Sequence, residues 1–331
     1  MSRSRQNARD CDVMVLGGIN IDFVMSLDRL PVPGETLKAK RFSIFPGGKG
    51  ANQAVACAKM GASVSFVSAL GDDFFGGRLR QEMQRRGVDM SYVLTKSGVL
   101  SGTAMIMVDE TGQNLIAFSP GAAEHLSLTH IERALRSLRA GGIFLTQLEL
   151  GTEIVFPSLS MAKQHGLTVI WNPAPAPDVA IPEEIIRAVD IIIPNETEAE
   201  AITGCRVLDL TDAERASARL QEMGFNTVII TLGERGVLAN VGGEEVYIKG
   251  IKVDAVDATA AGDVFVGAFC AQLARGSALF SALEFANCAA ALSVTKAGAM
   301  TSIPALDEVK AASRKLNKEE VFHENKGCAK Q

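Results

Sequence analysis

This 331-residue sequence has little of what usually marks a metal site or a histidine-based active site. Its four histidines, His125, His130, His165 and His323, lie outside every glycine-rich segment, so we do not expect catalysis by an imidazole. Its six cysteines are scattered without a C-x-x-C pair, which excludes the usual zinc spacings. Such unpaired thiols are typical of the reducing cytoplasm, where we expect the protein to reside.

Features of membrane and nucleic-acid-binding proteins are missing as well. No apolar run approaches the roughly 20 residues that cross a bilayer, and the polar N-terminus has no apolar signal core. Acidic residues outnumber basic ones by 38 to 33, and no basic stripe with interleaved aromatic residues occurs. We therefore expect neither a membrane nor a nucleic acid as a partner.

The common nucleotide-binding motifs are also absent. Residues 47–50 read GGKG, which places glycine where the phosphate-binding G-x-x-x-x-G-K-S/T loop requires Ser or Thr. No G-x-G-x-x-G follows the first predicted strand, and DFFG at residues 73–76 lacks the H-R-D partner of protein kinases. A bound nucleotide would have to be held in another way.

What is present is an alternation of short apolar runs with longer helical stretches. It predicts a parallel sheet covered by helices on both faces, a doubly wound α/β fold in which ligands bind beyond the carboxyl ends of the strands. Polar or turn-forming residues follow these strands, among them Gln147, Glu149, Asn172 and Asn195. The predicted strands are residues 13–17, 63–67, 142–145, 167–171, 191–193 and 227–231, and the first helices are residues 50–60 and 76–86.

Two stretches, residues 19–45 and 102–120, contain strand patterns without a helix. We expect them to form a small separate β-sheet, a lid that excludes water from the active site. The alternative is an extension of the edge of the main sheet. We expect residues 11–311 to form a single domain, and the polar tails 1–10 and 312–331 to be mobile.

Residues 257–263 read DATAAGD and lead directly into an apolar, helix-like run. Backbone N–H groups at the start of a helix are unpaired and carry partial positive charge, so they can hold a phosphate. Ala260, Ala261 and Gly262 leave these donors accessible, and Asp263 lies close enough to take a proton from a hydroxyl. The pattern favours phosphoryl transfer to an alcohol. The alternative is that Asp263 only caps the helix.

This segment and a second one resemble the two signatures of a known enzyme family. Residues 46–54, PGGKGANQA, resemble the N-terminal signature of the ribokinase-like (PfkB) sugar kinases. Residues 257–263 resemble their C-terminal signature, which more often reads D-T-x-G-A-G-D. Further matches at residues 18–22, 31–36, 172–176 and 194–198 extend the resemblance over about residues 11–306. It implies a ribokinase-like fold and an ATP-dependent carbohydrate kinase.

The resemblance also implies roles for individual residues. Asp263 corresponds to the catalytic base, and Ala260, Ala261, Gly262 and Asp263 correspond to the anion hole. The sugar-binding positions are Asn20, Asp22, Gly48, Lys49, Gly50, Asn52, Glu149 and Asp263. The ATP-binding positions are Asn195, Thr231, Gly233, Gly236, Gly262 and Asn287. For Asn20 and Asp22 the alternative is a turn after the first strand, and for Glu149 a purely structural acid.

Two ions follow from the resemblance. Asn195 and Glu198 resemble the N-x-x-E motif near the family's Mg²⁺–phosphate network, although they could instead cap a helix. Six positions match those that supply oxygens to a monovalent cation, K⁺, and one of them, Lys296, could do so only through its carbonyl. They are Asp257, Thr259, Ser293, Lys296, Gly298 and Ser302.

The implied reaction is ATP-dependent phosphorylation of D-ribose at its primary (5-) hydroxyl, by a homodimer whose lids pair. Deoxyribose, fructose, adenosine and pseudouridine are alternative substrates, and a non-catalytic sugar-binding regulator is an alternative of another class. Aromatic residues make up only 5% of the chain, which disfavours a nucleoside because its base would stack on aromatic rings.

Overall fold

The structure is a computed structural model that describes residues 11–139 and 141–315. A large sheet of nine strands forms its centre. Seven neighbouring strands of that sheet run parallel, whereas the other two are antiparallel additions at one edge. In spatial order the strands are β13 (Glu244–Lys249), β12 (Gly236–Val241), β11 (Thr227–Thr231), β10 (Ile191–Ile192), β9 (Thr168–Trp171), β8 (Ile143–Thr146), β1 (Val13–Leu16), β4 (Val64–Gly71) and β5 (Asp89–Lys96).

Helices cover both faces of this sheet because its central strands are apolar on both sides. In β1, Val13 and Val15 pack into one core cluster and Met14 and Leu16 into the other. The first cluster is covered by α1 (Lys49–Lys59), α2 (Phe74–Arg85), α8 (Ala261–Ala274), α9 (Leu279–Ser293) and α10 (Ala299–Ser302). The second is covered by α3 (Leu128–Leu135), α4 (Thr152–Gln164), α5 (Glu183–Ala188), α6 (Glu196–Thr203) and α7 (Leu210–Met223). The predicted doubly wound α/β fold is confirmed.

The two stretches predicted as a lid form a second sheet of their own. Its order is β3 (Arg41–Gly47), β2 (Asn20–Ser26), β6 (Gly102–Val108) and β7 (Asn114–Ser119). The pair β2–β6 is parallel and the two outer pairs are antiparallel. The alternative, an extension of the main sheet, is therefore wrong.

The six predicted strands correspond to β1, β4, β8, β9, β10 and β11, and the two predicted helices to α1 and α2. Residues 306–315 are helical, and Val309, within the predicted domain, is fully buried in the core. The helix thus includes residues 312–315 of the predicted C-terminal tail. The rest of that tail, and the tail at residues 1–10, lie outside the described residues. No helix in the described part of the chain is long and apolar enough to span a bilayer.

The start of α1 lies directly against the end of β1. A Cβ added at Gly50 would lie 2.6 Å from the Cα of Gly17, and one added at Gly17 would lie 2.7 Å from the Cα of Gly50. Only glycine allows two backbones to approach this closely. The contact brings the first turns of α1 to the carboxyl edge of the sheet, where ligands bind in folds of this type.

Candidate active site

A cavity of about 190 Å³ lies at this edge of the large sheet, where α1, α6 and α8 begin. Helix starts contribute unpaired N–H groups, and residues following the strands contribute amide and hydroxyl groups. The lining residues are Lys49, Asn172, Ala174, Ile193, Asn195, Glu198, Thr231, Ala258, Ala260, Ala261, Gly262, Asp263 and Val266. The cavity thus brings together the predicted anion hole with Asn195, Glu198 and Thr231, whereas only Lys49 and Asp263 of the predicted sugar-binding residues line it.

Asp263 lies in the first turn of α8, and its carboxylate is held by two amides from α1. Asn52 Nδ2 donates to Oδ2 at 2.9 Å, and Gln53 Nε2 donates to Oδ1 at 3.0 Å. Burial raises the pKa of Asp263, while Lys49 and the two amides oppose that rise. The interpretation of Asp263 as only a helix cap is wrong, because the N-cap of α8 is Ala260 and no side chain bonds there.

The turn before α8 presents backbone donors to the cavity. Ala260 adopts a left-handed conformation with φ of 63°, the only non-glycine residue with positive φ in the described ranges. The N–H groups of Gly262 and Asp263 have no acceptor among the described residues. Space beside Gly262 is open, since a Cβ there would meet nothing within 4 Å. This geometry suits an anion, as the sequence pattern predicts.

On the opposite side of Asp263, the lid strands bring polar groups against the loop that precedes α1. Asn20 donates a hydrogen bond to Asp22, and a Cβ at Gly47 would lie 2.2 Å from Asp22 Oδ2. A Cβ at Gly48 would lie 2.9 Å from Asn20 Oδ1. Burial raises the pKa of Asp22 to about 6, although the bond from Asn20 opposes the rise. Both residues lie in strand β2, so the alternative of a turn after the first strand is wrong, although neither residue lines the cavity.

Glu149 has a structural contact as well as a predicted ligand role. Its Oε2 accepts a hydrogen bond from the backbone N–H of Lys49 at 2.9 Å and lies 3.5 Å from the N of Gly50. It thereby caps α1, whose N-cap residue Gly48 has no side chain to do so. Burial raises the pKa of Glu149 to about 7, despite the bonds from α1 and the charge of Lys49.

Lys49 places a positive charge in the cavity among three carboxylates. Burial lowers the pKa of Lys49, but the charges of Asp263, Glu149 and Glu198 outweigh this effect and raise it overall. Within the described ranges no carboxylate oxygen lies within 4.0 Å of its ammonium group. An ammonium without a close partner, beside free N–H donors, can attract a phosphate.

On the nucleotide side, Asn195 and Glu198 form a complete capping box at the start of α6. Asn195 Oδ1 accepts from the N–H of Glu198 at 2.8 Å, and Glu198 Oε2 accepts from the N–H of Asn195 at 2.9 Å. The alternative capping role is thus present, yet both residues also line the cavity with Thr231. Burial raises the pKa of Glu198.

Three predicted ATP-binding residues lie outside the cavity lining. Gly233 and Gly236 have positive φ angles of 55° and 112°, and a Cβ at Gly236 would lie 2.1 Å from the carbonyl of Ile248. Asn287 Nδ2 donates to the carbonyl of Lys249 at 2.9 Å, which ties α9 to the end of β13. Their visible role is to shape the loops beside the cavity.

Residues of the predicted K⁺ site are only partly brought together. Asp257 accepts from the N–H and hydroxyl of Thr259 at 2.9 and 2.6 Å and from the N–H of Gly298 at 2.8 Å. Partial burial favours a higher pKa for Asp257, but these hydrogen bonds outweigh it, so the pKa lies below its ordinary value.

The other predicted K⁺ ligands make separate contacts. The hydroxyls of Ser293 and Ser302 bond to the carbonyls of Ala290 and Ala299, and the ammonium of Lys296 pairs with Glu308. No group of three or more His, Cys, Asp or Glu side chains in the described part of the chain could hold a metal.

Two buried glutamines contact the site although the sequence pattern gives them no role. Gln53 bonds to Asp263 and to Asn172 Oδ1, the latter at 2.8 Å, and Gln147 Nε2 donates to Gln53 Oε1 at 2.6 Å. Two features of the sequence could have indicated that these glutamines lie near the site. Gln53 is part of the PGGKGANQA segment, and Gln147 directly follows β8.

Comparison with known proteins agrees with this architecture. Residues 10–306 match the model of the pfkB family carbohydrate kinases. A ribokinase of Haemophilus influenzae is 40% identical over 294 residues, which cover 89% of this chain and 95% of that protein. A deoxyribokinase of Salmonella typhi is 36% identical over 298 residues, 90% of this chain and 97% of that protein.

A solved structure shows the same fold. Arabidopsis thaliana ribokinase, complexed with ribose and ATP, superimposes with a TM-score of 0.82 at 32% identity. The match covers 92% of this chain and 98% of the Arabidopsis chain.

Proposed function

Since this chain belongs to the pfkB family of carbohydrate kinases and is an ATP-dependent sugar kinase, we propose that its sugar is D-ribose and its product ribose 5-phosphate. The observation that carries the proposal is the joint position of Asp263 and the free N–H groups at the start of α8. A buried carboxylate, held by Asn52 and Gln53, faces the same cavity as donors suited to a phosphate.

In this mechanism Asp263 is the general base. Its carboxylate takes the proton of the 5-hydroxyl while that oxygen attacks the γ-phosphorus of ATP. The bond from the γ-phosphorus to the bridging oxygen breaks, and its electron pair leaves with ADP. The N–H groups of Gly262 and Asp263, together with Lys49, stabilise the negative charge on the transferred group.

Both proposed ions fit the residues present. One carboxylate oxygen of Glu198 accepts the capping-box hydrogen bond, so the other could accept a hydrogen bond from a water bound to Mg²⁺. Mg²⁺ would neutralise negative charge on the phosphates of ATP. K⁺ would sit beside the 257–259 turn and backbone carbonyls near residues 293–298. There it would steady the turn that aims the N–H donors.

The sugar assignment rests on the polar surface around Asn20 and Asp22. Phe23 follows Asp22 in the strand and so points to the opposite face of the lid, where its ring contacts Phe42 and Phe75. Phe45 pairs directly opposite Asp22 and lies on the same face. The preference for a hydroxyl-rich ligand over a nucleoside base therefore rests on the polar groups of Asn20 and Asp22 and not on an absence of aromatic rings. A buried amide or acid left unpaired costs roughly 1–3 kcal/mol, so an analogue that lacks a hydroxyl should be used about ten- to hundredfold less well.

The second candidate substrate is 2-deoxyribose, because a relative at 36% identity is named a deoxyribokinase. The test is ADP release with ATP and a panel of ribose, 2-deoxyribose, fructose and adenosine. We expect ribose to give the highest kcat/KM, and Asp22→Asn to raise the KM for ribose but not for ATP. A higher kcat/KM for 2-deoxyribose would overturn the ribose assignment. Sugar binding without ADP release would indicate a regulator.

We also propose that two copies of this chain pair through their lids. The lid carries large exposed apolar side chains, including Phe42, Met105 and Ile116, which are 52%, 53% and 59% exposed. A surface of this kind is stable in water when a second surface covers it.

A further inference from the structure

A chain of buried side-chain amides contacts the carboxylate of Asp263. Gln147 donates to Gln53 at 2.6 Å, and Gln53 donates to Asp263 Oδ1 at 3.0 Å and to Asn172 Oδ1 at 2.8 Å. Asn172 Nδ2 in turn donates to the backbone carbonyl of Ile193 at 2.7 Å. Gln53 has no exposed surface and does not line the cavity, so it cannot touch the substrates.

Only one orientation of these amides satisfies every bond. The carbonyl of Ile193 can only accept, so the NH₂ group of Asn172 faces it and Asn172 Oδ1 faces Gln53. The carboxylate of Asp263 can also only accept. Gln53 must therefore give both hydrogens of its NH₂ group, and its Oε1 is left for Gln147. The NH₂ group of Gln53 is thus fixed by two acceptors that cannot reverse, and Gln147 must turn its own NH₂ group toward Gln53 Oε1.

We propose that Gln53 is a positioning residue of this active site, which holds Asp263 Oδ1 as a permanent acceptor and so directs the sugar proton to Oδ2. This inference rests on the proposed role of Asp263 as the base. A proton on Oδ1 would face an NH₂ group that offers no acceptor. Oδ2 faces Asn52, whose own Oδ1 has no partner in the described part of the chain. The Asn52 amide can therefore reverse and accept a bond from a protonated Oδ2.

The pH dependence of turnover gives a readout that a purely structural role would not change. The charged groups that face Asp263 are Lys49 on α1, Glu149 after β8 and Glu198 on α6. Gln53 bonds to Asp263 and to none of these three, and its donation lowers the pKa of Asp263. Removing this donor should therefore move only the contribution of Asp263 to the acidic limb of the kcat profile.

The experiment compares kcat and the KM for ribose across pH in the wild type, Gln53→Met and Gln147→Met. For Gln53→Met we expect the acidic limb to move up by about one pH unit, which lowers kcat about tenfold on that limb, with recovery at high pH and little change in KM. Gln147→Met should move the limb less, because Gln53 keeps its donors and loses only its anchor. The matched control is Gln221→Met on α7, which removes an amide bond to Asn240 on β12; neither residue lines the cavity.

Several results would overturn the proposal. One is a folded Gln53→Met variant with the wild-type acidic limb, even if it unfolds at a lower temperature. If Gln53→Met does not fold, an unchanged limb in Gln53→Ala, which removes the same donor to Asp263 Oδ1, has the same meaning. Asp263→Asn separates the two proposals. If it is inactive while Gln53→Met keeps the wild-type limb, only the positioning role fails; if it keeps its turnover, the base assignment itself fails.

Discussion

At the scale of single residues, Asp263 is notable because its carboxylate is buried and yet fully engaged by neutral amides. The protein keeps an acid without a close ion-pair partner in a position where burial raises its pKa. A raised pKa brings the carboxylate closer to the pH at which it works, and this strengthens it as a proton acceptor. The same burial would be a net cost for a residue that only supported the fold.

Replacing Asp263 by Asn should therefore lower kcat by about 10²–10⁴-fold, the usual contribution of a general base. Ribose binding should persist, because the predicted sugar-binding residues Asn20 and Asp22 are unchanged. The variant should also keep its fold, since its carbonyl oxygen can still accept from Gln53 and the Asn52 amide can reverse to accept from the new NH₂ group. Kinetics and ribose calorimetry on the folded variant test this, and near-normal turnover would count against Asp263 as the base.

At the scale of secondary structure elements, Glu149 couples the start of α1 to pH. Its pKa in the folded protein is about 7, compared with 4.5 for an ordinary glutamate. The folded state therefore binds this proton more tightly than the unfolded chain does. The protonated Glu149 makes its full contribution to the stability of the folded state below pH 4.5, and this contribution is lost as the pH rises through about 7.

Glu149→Gln, which is uncharged at every pH, should remove this loss. The variant should match the wild type in free energy of unfolding near pH 4.5 and exceed it by on the order of 3 kcal/mol at pH 8. Urea unfolding across pH measures the difference. Glu153→Gln, at an exposed position on α4, is the matched control and should show no such trend. A constant difference between variant and wild type would contradict the raised pKa.

The turn at residues 257–259 gives a prediction about ions. Asp257 links Thr259 to Gly298, so a cation bound there would stiffen the turn that precedes α8. We expect activity to require Mg²⁺ and to rise severalfold with K⁺, while Na⁺ replaces K⁺ poorly. Asp257→Asn should weaken the stimulation by K⁺ more than it changes the KM for ribose. Equal rates in K⁺, Na⁺ and tetramethylammonium at matched ionic strength would argue against the site.

A helix or strand could be predicted where the residues that determine it are neighbours in the sequence. The central strands are continuous apolar runs, and the lid strands lie beside clear turn residues, so both were predicted. Strands β5 and β13 lie at the edges of the large sheet, and in both of them exposed residues are interspersed with less exposed ones, as in EEVYIK of β13. The sequence patterns do not predict these two strands.

The same reasoning applies to the candidate site. The signature segments predict roles for Asp263 and Lys49. The hydrogen bonds of Gln53, in contrast, link it to Asn172 and Asp263, which are 119 and 210 positions away in the sequence, and no local pattern reveals such contacts. The cap formed by Glu149 spans 100 positions. Contacts of this range are set by the packing of α1 and α8 on the sheet, and only the folded structure displays them.

At the scale of the whole molecule, the exposed lid predicts a homodimer. Ile116→Asp should cost the monomer little, since its side chain is 59% exposed, but it would bury an unpaired charge between two lids. We expect the wild type to be dimeric at micromolar concentration by light scattering and this variant to be largely monomeric. Val179→Asp, also exposed but outside the lid, is the control. A monomeric wild type would overturn the prediction.

The contact between Gly17 and Gly50 has a consequence for how this protein tolerates genetic change. Neither residue offers a functional group, yet any side chain at either position would push the start of α1 off β1. Lys49, Asn52 and Gln53 would move with it, while most of the core would stay packed. In a library of random single substitutions, we therefore expect variants at these two glycines to be folded but inactive, as we expect for variants at Asp263. The substitutions that this gene can accept are then restricted by the backbone contact of Gly17 and Gly50 as much as by the catalytic side chains.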